Sequence, residues 1–308
     1  PAPGWIVEAG PDGVLASDPD VPALAAELGI ADHLVPQSDR GAQLWDGKTR
    51  RALAEGEAAR LLGIRVTGDL AAGFVTFAGG MEELPAALAA ALGERIRYRV
   101  GVTGLVRQLH GFRVSATGGT AFEADAVVVA CPAFAAGRVV RTVDGEVAHA
   151  LEKVRFEPRL AVTLAYRTDQ VGESLTGTGF VTEPGAPGHL RACSYASRKF
   201  PGRAPSGHTL LRAFLTPVAE RAVDAARLEL ERILRISGNP LWTRMHERPR
   251  GVPRPRAAAE NAELSEELRS RLERHPGLAV AGAGVGQGVS VGACIRSGRA
   301  AARAVLNA

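Results

Sequence analysis

Apolar and polar positions alternate along the chain in short runs, and the period of each run predicts a helix or a strand. A spacing of three to four residues predicts helices at 21–28, 52–62, 82–92, 219–234, 264–272 and 293–306. Apolar or alternating runs predict strands at 5–15, 74–77, 96–100, 112–117, 120–123, 126–130, 160–166, 179–182, 190–195, 209–215, 241–246 and 278–281. With a hairpin at 44–48, this mixed order predicts an α/β fold.

Two kinds of sheet are predicted. The run 126–130 is continuously apolar, which is typical of a strand buried on both faces of a parallel sheet. The segments between 154 and 215 alternate instead, which indicates a largely antiparallel sheet. The sequence therefore predicts nucleotide-type α/β pieces towards the two ends of the chain, with an antiparallel substrate-type sheet inserted between them.

The closing segment combines a short apolar strand, four alternating glycines and a helix. Gly282, Gly284, Gly286 and Gly288 supply backbone without Cβ atoms, and the positive end of the helix follows them. Such a turn suits an anionic or electron-rich ligand, although the spacing does not match the Gly-x-Gly-x-x-Gly dinucleotide pattern. A close-packed strand and helix without a ligand is the alternative interpretation. The helix stripe predicted to be buried comprises Ile295, Gly298, Ala302 and Val305.

Composition narrows the function classes. The 37 basic and 33 acidic residues give a net charge of +4, and the basic residues are scattered, so no nucleic-acid partner is expected. The densest basic stretch, 244–256, holds five arginines among prolines. We interpret it as a solvated loop, with a patch for acidic substrates or lipid headgroups as the alternative.

Cysteine and histidine usage indicates neither a disulfide framework nor a metal site. Cys131, Cys193 and Cys294 lack metal-ligand spacing, and a reducing cytoplasmic setting follows. The seven histidines are dispersed, so no metal is predicted. The uncharged run 276–295 is too rich in glycine for a membrane span. No signal peptide is visible, and the start at Pro1 rather than Met indicates a processed or incomplete chain.

Six blocks, in their order along the chain, resemble the flavin amine-oxidase superfamily. Within it, they are most similar to the protoporphyrinogen/coproporphyrinogen oxidase family of haem biosynthesis. The blocks are Trp5–Pro11, Phe77–Met81, Val102–Val106, Ala124–Ala133, Ser194–Pro201 and Pro276–Gly298. The family's N-terminal nucleotide-binding unit and most of its helical membrane and substrate region have no counterpart in this sequence. Near the arginine-rich stretch, Arg248 stands where the family usually has tryptophan, and Arg254-Pro255 replaces glutamine-tyrosine.

This resemblance implies an oxygen-dependent FAD enzyme. Family members oxidise protoporphyrinogen IX or coproporphyrinogen III to the porphyrin, with hydride transfer to flavin N5 and O₂ as electron acceptor. No catalytic side chain is identifiable, because the flavin performs the hydride chemistry. Two alternatives stay open: another flavin amine oxidase or desaturase, and a non-catalytic tetrapyrrole-binding homologue.

The resemblance also implies site residues. Those expected to bind FAD are Glu8, Gly10, Val102, Ala130, Cys131, Pro132, Gly284, Gly286, Gly288, Val289, Ser290 and Val291. Val102 corresponds to the position whose backbone pairs with adenine, and Ala130–Pro132 to a wall beside the adenosine. The residues expected to bind the carboxylates of a tetrapyrrole substrate are Arg198, Lys199 and Arg203.

The expected domain organisation follows from the same blocks. Residues 1–35, 74–153 and 264–308 would form a discontinuous FAD-binding domain, and 154–263 a substrate-binding domain. Residues 36–73 would be a remnant of the helical membrane-binding region or a joined gap. The expected location is cytoplasmic, with peripheral contact to the inner face of the cell membrane, and the expected assembly is a homodimer.

Overall fold

The computed structural model describes residues 3–64, 66, 68–216, 221–254, 258–286 and 288–307, without the side chains of 258, 259 and 261. Its contacts divide the chain into two compact units. The first unit comprises Pro1–Ala90 and Pro158–Gly251, and the second comprises Ala91–Glu157 and Val252–Ala308. Residues 1–35 and 74–90 thus group with the inserted sheet, so the functional division into domains stays a prediction.

Helices and strands are distributed over both units. The helices are α1 Asp20–Glu27, α2 Glu57–Leu61, α3 Glu83–Leu92, α4 Ala133–Val140, α5 Gly145–Glu152, α6 Ala196–Lys199, α7 Ala222–Leu234, α8 Ala258–Leu272 and α9 Val291–Leu306. The strands up to the middle of the chain are β1 Val14–Leu15, β2 Leu34–Pro36, β3 Gln43–Trp45, β4 Arg50–Ala52, β5 Phe74–Phe77, β6 Val102–Arg107, β7 Phe112–Ala116, β8 Ala121–Ala124 and β9 Val127–Val129. The remaining strands are β10 Phe156–Arg167, β11 Gly179–Thr182, β12 Leu190–Tyr195, β13 His208–Leu215, β14 Trp242–Pro253 and β15 Leu278–Val280.

The first unit is built on a seven-stranded sheet with the order β14-β10-β13-β12-β11-β3-β4. β10 and β13 pair antiparallel, with Leu160 opposite Leu215 at one end and Arg167 opposite His208 at the other. β12 pairs antiparallel with both β13 and β11, whereas β11 and β3 run parallel. A second, antiparallel sheet has the order β1-β5-β2. The largely antiparallel inserted sheet is therefore as predicted.

Alternation along β10 and β13 gives the seven-stranded sheet one apolar face. Leu160, Val162 and Leu164 lie buried on this face, together with Leu211 and Leu215 from β13. Helix α7 covers it with Ala222, Ala226, Leu230, Ile233 and Leu234. Each fully buried leucine stabilises the unit by about 1.5–3 kcal/mol relative to an exposed one, so this contact holds the sheet and the helix together.

The second unit combines a small antiparallel sheet, a parallel strand pair and four helices. The sheet has the order β6-β7-β8, and β9 pairs parallel with β15, with Val127 opposite Leu278. Helices α4, α5 and α8 share a buried core with both sheets. Asp144 caps α5 by accepting from the amides of Glu146 and Val147, and it also accepts from His275 Nε2 at 2.8 Å. That contact ties α5 to the segment before β15.

Several predicted elements are wrong in position or type. Residues 96–100 do not form a strand, because Arg99 adopts a left-handed conformation with φ of +61° and the strand begins at Val102. The strand predicted at 241–246 is found as the first part of β14, but β14 continues to Pro253, so residues 247–253 form a strand instead of a loop. β14 lies at the edge of its sheet. Prolines are tolerated in an edge strand, because the N–H group that proline lacks would point away from the neighbouring strand.

The remaining corrections concern helices and burial. Helices α4 and α5 were not predicted, and the predicted helix 52–62 is limited to α2. β9 is parallel as predicted, but Val128 is 37% exposed, so the strand is not buried on both faces. On α9, Ala301 is buried against Ala279 and Ala281, whereas Ala302, which was predicted to be buried, is exposed. None of the helices among the described residues is long and apolar enough to span a membrane.

Leu164→Ala tests the contact between the seven-stranded sheet and α7. Leu164 is fully buried, so we expect a loss of about 2–5 kcal/mol in the free energy of unfolding of the first unit. Trp5, Trp45 and Trp242, the three tryptophans of the chain, all lie in this unit, so tryptophan fluorescence during urea unfolding measures it. Leu228→Ala is the matched control, since Leu228 on α7 is 55% exposed and should change stability by no more than about 0.5 kcal/mol. Equal losses in the two variants would contradict this packing.

Candidate functional site

The parallel strands β9 and β15 end side by side in the second unit. Val129 lies opposite Val280, and the amide of Ala281 donates to the carbonyl oxygen of Val129 at 3.0 Å. The chain leaves β9 through Ala130–Pro132 and leaves β15 through the glycine-rich turn. Two segments that were predicted separately to bind a cofactor therefore meet at one edge. The carboxyl edge of parallel strands is where ligands bind in α/β sheets.

The glycine-rich turn presents bare backbone at this edge. Gly284 packs inwards: a Cβ atom there would lie 2.8 Å from Cβ of Pro253, and φ is +76°. Gly282 has φ of +124°, and a Cβ atom there would meet nothing within 4 Å. The amide of Gly284 donates to the carbonyl oxygen of Gly288 at 3.0 Å, which closes the turn. A planar group could therefore approach the backbone at Gly282 more closely than side chains would allow.

Two helices begin at the same edge. Ser290 caps α9 by accepting from the amide of Ala293 at 3.1 Å, which leaves the amides of Val291 and Gly292 as the first free donors of the helix. α4 begins at Ala133, directly after Pro132, and neither helix has an acidic residue in its first turn. The positive ends of both helix dipoles thus favour negative charge at this edge.

The side chains around the edge are apolar or weakly polar. Val289 is 41% exposed and follows the glycine turn. Cys131 is part of the loop after β9, and Cys294 lies in the first turn of α9. Burial raises the pKa of both thiols, so both are protonated at neutral pH. Open space over Gly282, two helix N-termini and no acidic group in their first turns fit an electron-rich ring system that gains negative charge.

Val102, Glu8 and Gly10, the other residues predicted to bind the cofactor, do not belong to the segments that follow β9 and β15. Val102 begins β6, an edge strand of its sheet, and its side chain is 48% exposed. Glu8 and Gly10 belong to the first unit, where Gly10 is exposed. Glu8 accepts from the amide of Met81 at 2.8 Å and pairs with Arg203 at 3.1 Å. The roles of these residues towards a cofactor stay predictions.

The three predicted substrate cations all contact other residues of the first unit. Arg198 pairs with Asp39 at 2.7 Å, and this hydrogen bond lowers the pKa of Asp39. Lys199 pairs with Asp12 at 2.9 Å and lies over the rings of Phe74 and Phe200. Arg203 is only 2% exposed and donates to Thr76 Oγ1 at 2.6 Å. Arg198 is the most accessible of the three, with 48% of its side chain exposed.

Residues 51–306 match the family described as flavin containing amine oxidoreductase. The chain belongs to that family. FAD is the cofactor of the family, so the cofactor prediction is confirmed.

Similar proteins are named as porphyrinogen oxidases. Coproporphyrinogen III oxidase of Bacillus subtilis is 29% identical over 196 residues, which cover 59% of this chain and 40% of that protein. Protoporphyrinogen oxidase 1 of Spinacia oleracea chloroplasts is 24% identical over 262 residues, which cover 75% of this chain and 45% of that protein. The chain thus spans less than half the length of these relatives. The predicted resemblance to this group is confirmed.

Solved structures share the fold. A crystal structure from Exiguobacterium sp. 255-15, provisionally named a protoporphyrinogen oxidase, has a TM-score of 0.81 at 20% identity and covers 99% of this chain and 89% of its own. A putrescine oxidase variant has a TM-score of 0.70 at 14% identity and covers 98% of this chain and 88% of its own. The predicted α/β fold of the flavin amine-oxidase type is therefore confirmed.

Sequence reasoning missed one component of this edge, the N-terminus of α4. The signal was available, since Pro132 directly precedes the good helix formers of Ala133–Ala136, and proline is frequent at helix starts. No cluster of three or more histidine, cysteine or acidic side chains suited to a metal occurs among the described residues.

Asp12→Asn tests the ion pair that holds Lys199. Burial alone would raise the pKa of Asp12, but Lys199, Arg212 and Arg203 outweigh it and lower that pKa. Stability from the pair is therefore fully present above the unfolded-state pKa of about 4 and is lost as pH falls through the lower folded-state value. We expect the variant to lose about 1–3 kcal/mol at neutral pH, and its difference from the parent chain to shrink towards about pH 3.

Urea unfolding followed by tryptophan fluorescence at several pH values measures this difference. Asp169→Asn is the control, because Asp169 is 73% exposed in its pair with Arg167 and should show little effect at any pH. A difference between D12N and the parent that stays constant with pH would contradict the assignment.

Proposed function

We propose that this chain is part of an FAD-dependent oxidase that converts a porphyrinogen, protoporphyrinogen IX or coproporphyrinogen III, to the porphyrin in haem biosynthesis. The observation that carries the proposal is the glycine-rich turn leading into α9 beside the loop after β9, in a chain of the flavin-containing family. The names of the relatives from Bacillus subtilis and Spinacia oleracea supply the substrate class.

Residues at the carboxyl edge of β9 and β15 would hold the cofactor. When bound, FAD supplies the redox chemistry by accepting hydride at N5 and passing electrons to O₂. The amides of Val291 and Gly292 would stabilise negative charge on the flavin ring, since they start α9 and have no partner within the helix. Ser290 fixes the position of these amides by capping the helix. Gly286 and Gly288 would keep the approach free of side chains, Gly284 would let the turn pack against Pro253, and Ala130–Pro132 would form a wall.

Cations of the first unit are our candidates for the carboxylates of the substrate. Arg198 is accessible, and its pair with Asp39 leaves part of its guanidinium free to donate, because that pair uses Nε and Nη2. Lys199 is more enclosed, with 14% of its side chain exposed. Arg203 could reach a substrate only after the chain around it moved, so it is the weakest candidate of the three.

Anaerobic mixing of the purified holoprotein with each porphyrinogen tests the proposal. We expect bleaching of the visible flavin bands together with the appearance of porphyrin fluorescence, followed by reoxidation and peroxide formation when O₂ is admitted. Amines such as putrescine serve as control substrates. Bleaching by an amine and by neither porphyrinogen would assign the chain to another flavin oxidase, and failure to take up FAD would indicate a non-catalytic homologue.

Gly282→Ala tests where the flavin lies, independently of turnover. The added methyl group meets no protein atom but would occupy the open space above the turn, so we expect FAD to bind about tenfold or more weakly. Gly119→Ala is the matched control, because Gly119 also has positive φ and open surroundings but lies in the turn before β8. Alanine is disfavoured at both backbone angles, φ of +124° at Gly282 and +77° at Gly119, so the unfolding of each variant is measured as well to establish that it is folded. FAD affinity measured by fluorescence titration should fall only in G282A, and equal affinity in the two variants would place the flavin elsewhere.

A further inference from the structure

The amide of Gly282, two residues beyond the end of β15, is bound by a side chain of α9. It donates to Oγ of Ser297, in the second turn of the helix, at 3.1 Å. The amide of the preceding residue, Ala281, points towards β9 and donates to the carbonyl oxygen of Val129. Successive amides of an extended chain point to opposite sides, so the amide of Gly282 points away from β9, where the described part of the chain has no further strand. Ser297 therefore supplies the acceptor that this amide needs.

Ser297 reaches the turn because α9 packs closely on the strand. Ser297 and Ala301 are four residues apart, so they lie on the same face of the helix. On this face, Ala301 packs against Ala279 and Ala281. Three side chains of one carbon atom each let the helix approach the strand, and the short serine side chain can then reach the backbone of Gly282.

The glycine-rich turn benefits from an anchor more than an ordinary loop does. Gly282, Gly284, Gly286 and Gly288 all have positive φ, between +76° and +137°. Glycine has the greatest backbone freedom of all residues, so a turn of this composition loses much conformational entropy when it takes up one conformation. The contact from the amide of Gly284 to the carbonyl oxygen of Gly288 closes the turn on itself, whereas the contact to Ser297 ties it to α9.

We propose that Ser297 is a positioning residue for the flavin, because its hydroxyl group fixes the glycine-rich turn relative to α9 before FAD binds. A ligand that contacts both the turn and the first amides of the helix, those of Val291 and Gly292, binds more tightly when the two are already held in place, since less freedom is lost on binding. The inference rests on the flavin position of the proposed function, at the carboxyl edge of β9 and β15, but not on the identity of the oxidised substrate.

The same hydrogen bond should affect the midpoint potential of the bound flavin. Reduction places negative charge on the flavin ring, and the amides of Val291 and Gly292 stabilise this charge only at hydrogen-bond distance. A turn that is not tied to α9 lets the ring shift away from these amides. Loss of the Ser297 hydroxyl should therefore weaken the binding of reduced flavin more than that of oxidised flavin, which lowers the midpoint potential.

Ser297→Thr and Ser297→Val form a matched pair of test variants. Both new side chains are β-branched and have similar helix propensities, but only threonine keeps a hydroxyl group. Ser297→Ala removes the hydroxyl group without adding a methyl group, so it separates the loss of the hydrogen bond from any effect of crowding. Ser270→Ala is the control for serine removal, because Ser270 is an exposed residue of α8 in the same unit.

Hydrogen–deuterium exchange of the FAD-free protein, followed by mass spectrometry, tests the hydrogen bond without the cofactor. We expect the peptide that contains Gly282 to exchange about threefold to tenfold faster in S297V and S297A than in the parent chain, because a typical hydrogen bond protects by about this factor. S297T and S270A should exchange as the parent chain does. Unchanged exchange in both S297V and S297A would overturn the proposal.

FAD titration and potentiometry of the reconstituted holoprotein test the consequence for the flavin. In S297V and S297A we expect the Kd for FAD to rise by about threefold to tenfold and the midpoint potential to fall, with parent values in S297T and S270A. A merely structural role of Ser297 would lower the unfolding midpoint and leave the Kd and the potential unchanged, and that result would overturn the proposal.

The outcome also separates this inference from the proposed function. Weaker FAD binding in G282A together with parent affinity in S297V and S297A would overturn the role of Ser297 and leave the flavin position standing. The expected changes in S297V and S297A, together with a flavin that neither porphyrinogen bleaches, would support the role of Ser297 and contradict the proposed substrate.

Discussion

The antiparallel pairing of β10 with β13 is the constraint on which the first unit depends. Its register puts Leu164 opposite Leu211 on the face covered by α7. The same register puts Thr163 opposite Arg212 on the other face. A shift by one residue would expose the leucines and bury the wrong side chains, because side chains alternate with a period of two. The apolar core thus holds the polar residues of the opposite face in position.

In the second unit, the fold exposes backbone groups at the carboxyl edge of β9 and β15. Only two strands, β9 and β15, run parallel in its described part, yet their alignment brings together segments separated by more than a hundred residues. Small residues make this possible. Ala279 and Ala281 pack against Ala301, so α9 approaches the strands closely. Ser297 of α9 also accepts from the amide of Gly282, just after β15, at 3.1 Å.

Elements with a regular spacing of apolar residues were predicted correctly, whereas features that depend on residues distant in sequence were not. The alternation in 160–215 was enough to predict the sheet, and the glycines after Val280 were enough to predict a turn between the last strand and the last helix. The second part of β14, residues 247–253, was predicted as a loop because prolines are usually excluded from strands, and a sequence does not reveal which strand will lie at an edge. Arg203 was predicted to bind substrate from its charge alone, whereas its burial depends on Glu8 and Thr76, which are distant in sequence. Pairings of this kind arise only from the tertiary fold.

The protonated state of the cysteines has a consequence for the oxidase activity that we propose. Hydrogen peroxide oxidises the thiolate form of cysteine, first to sulfenic acid and then to forms that cells reverse poorly or not at all. Burial raises the pKa of Cys131 and Cys294 near the carboxyl edge of β9 and β15 and of Cys193 in the core of the first unit. The thiols nearest the proposed source of peroxide are therefore kept in their least reactive form, and the fold itself protects them against oxidative damage.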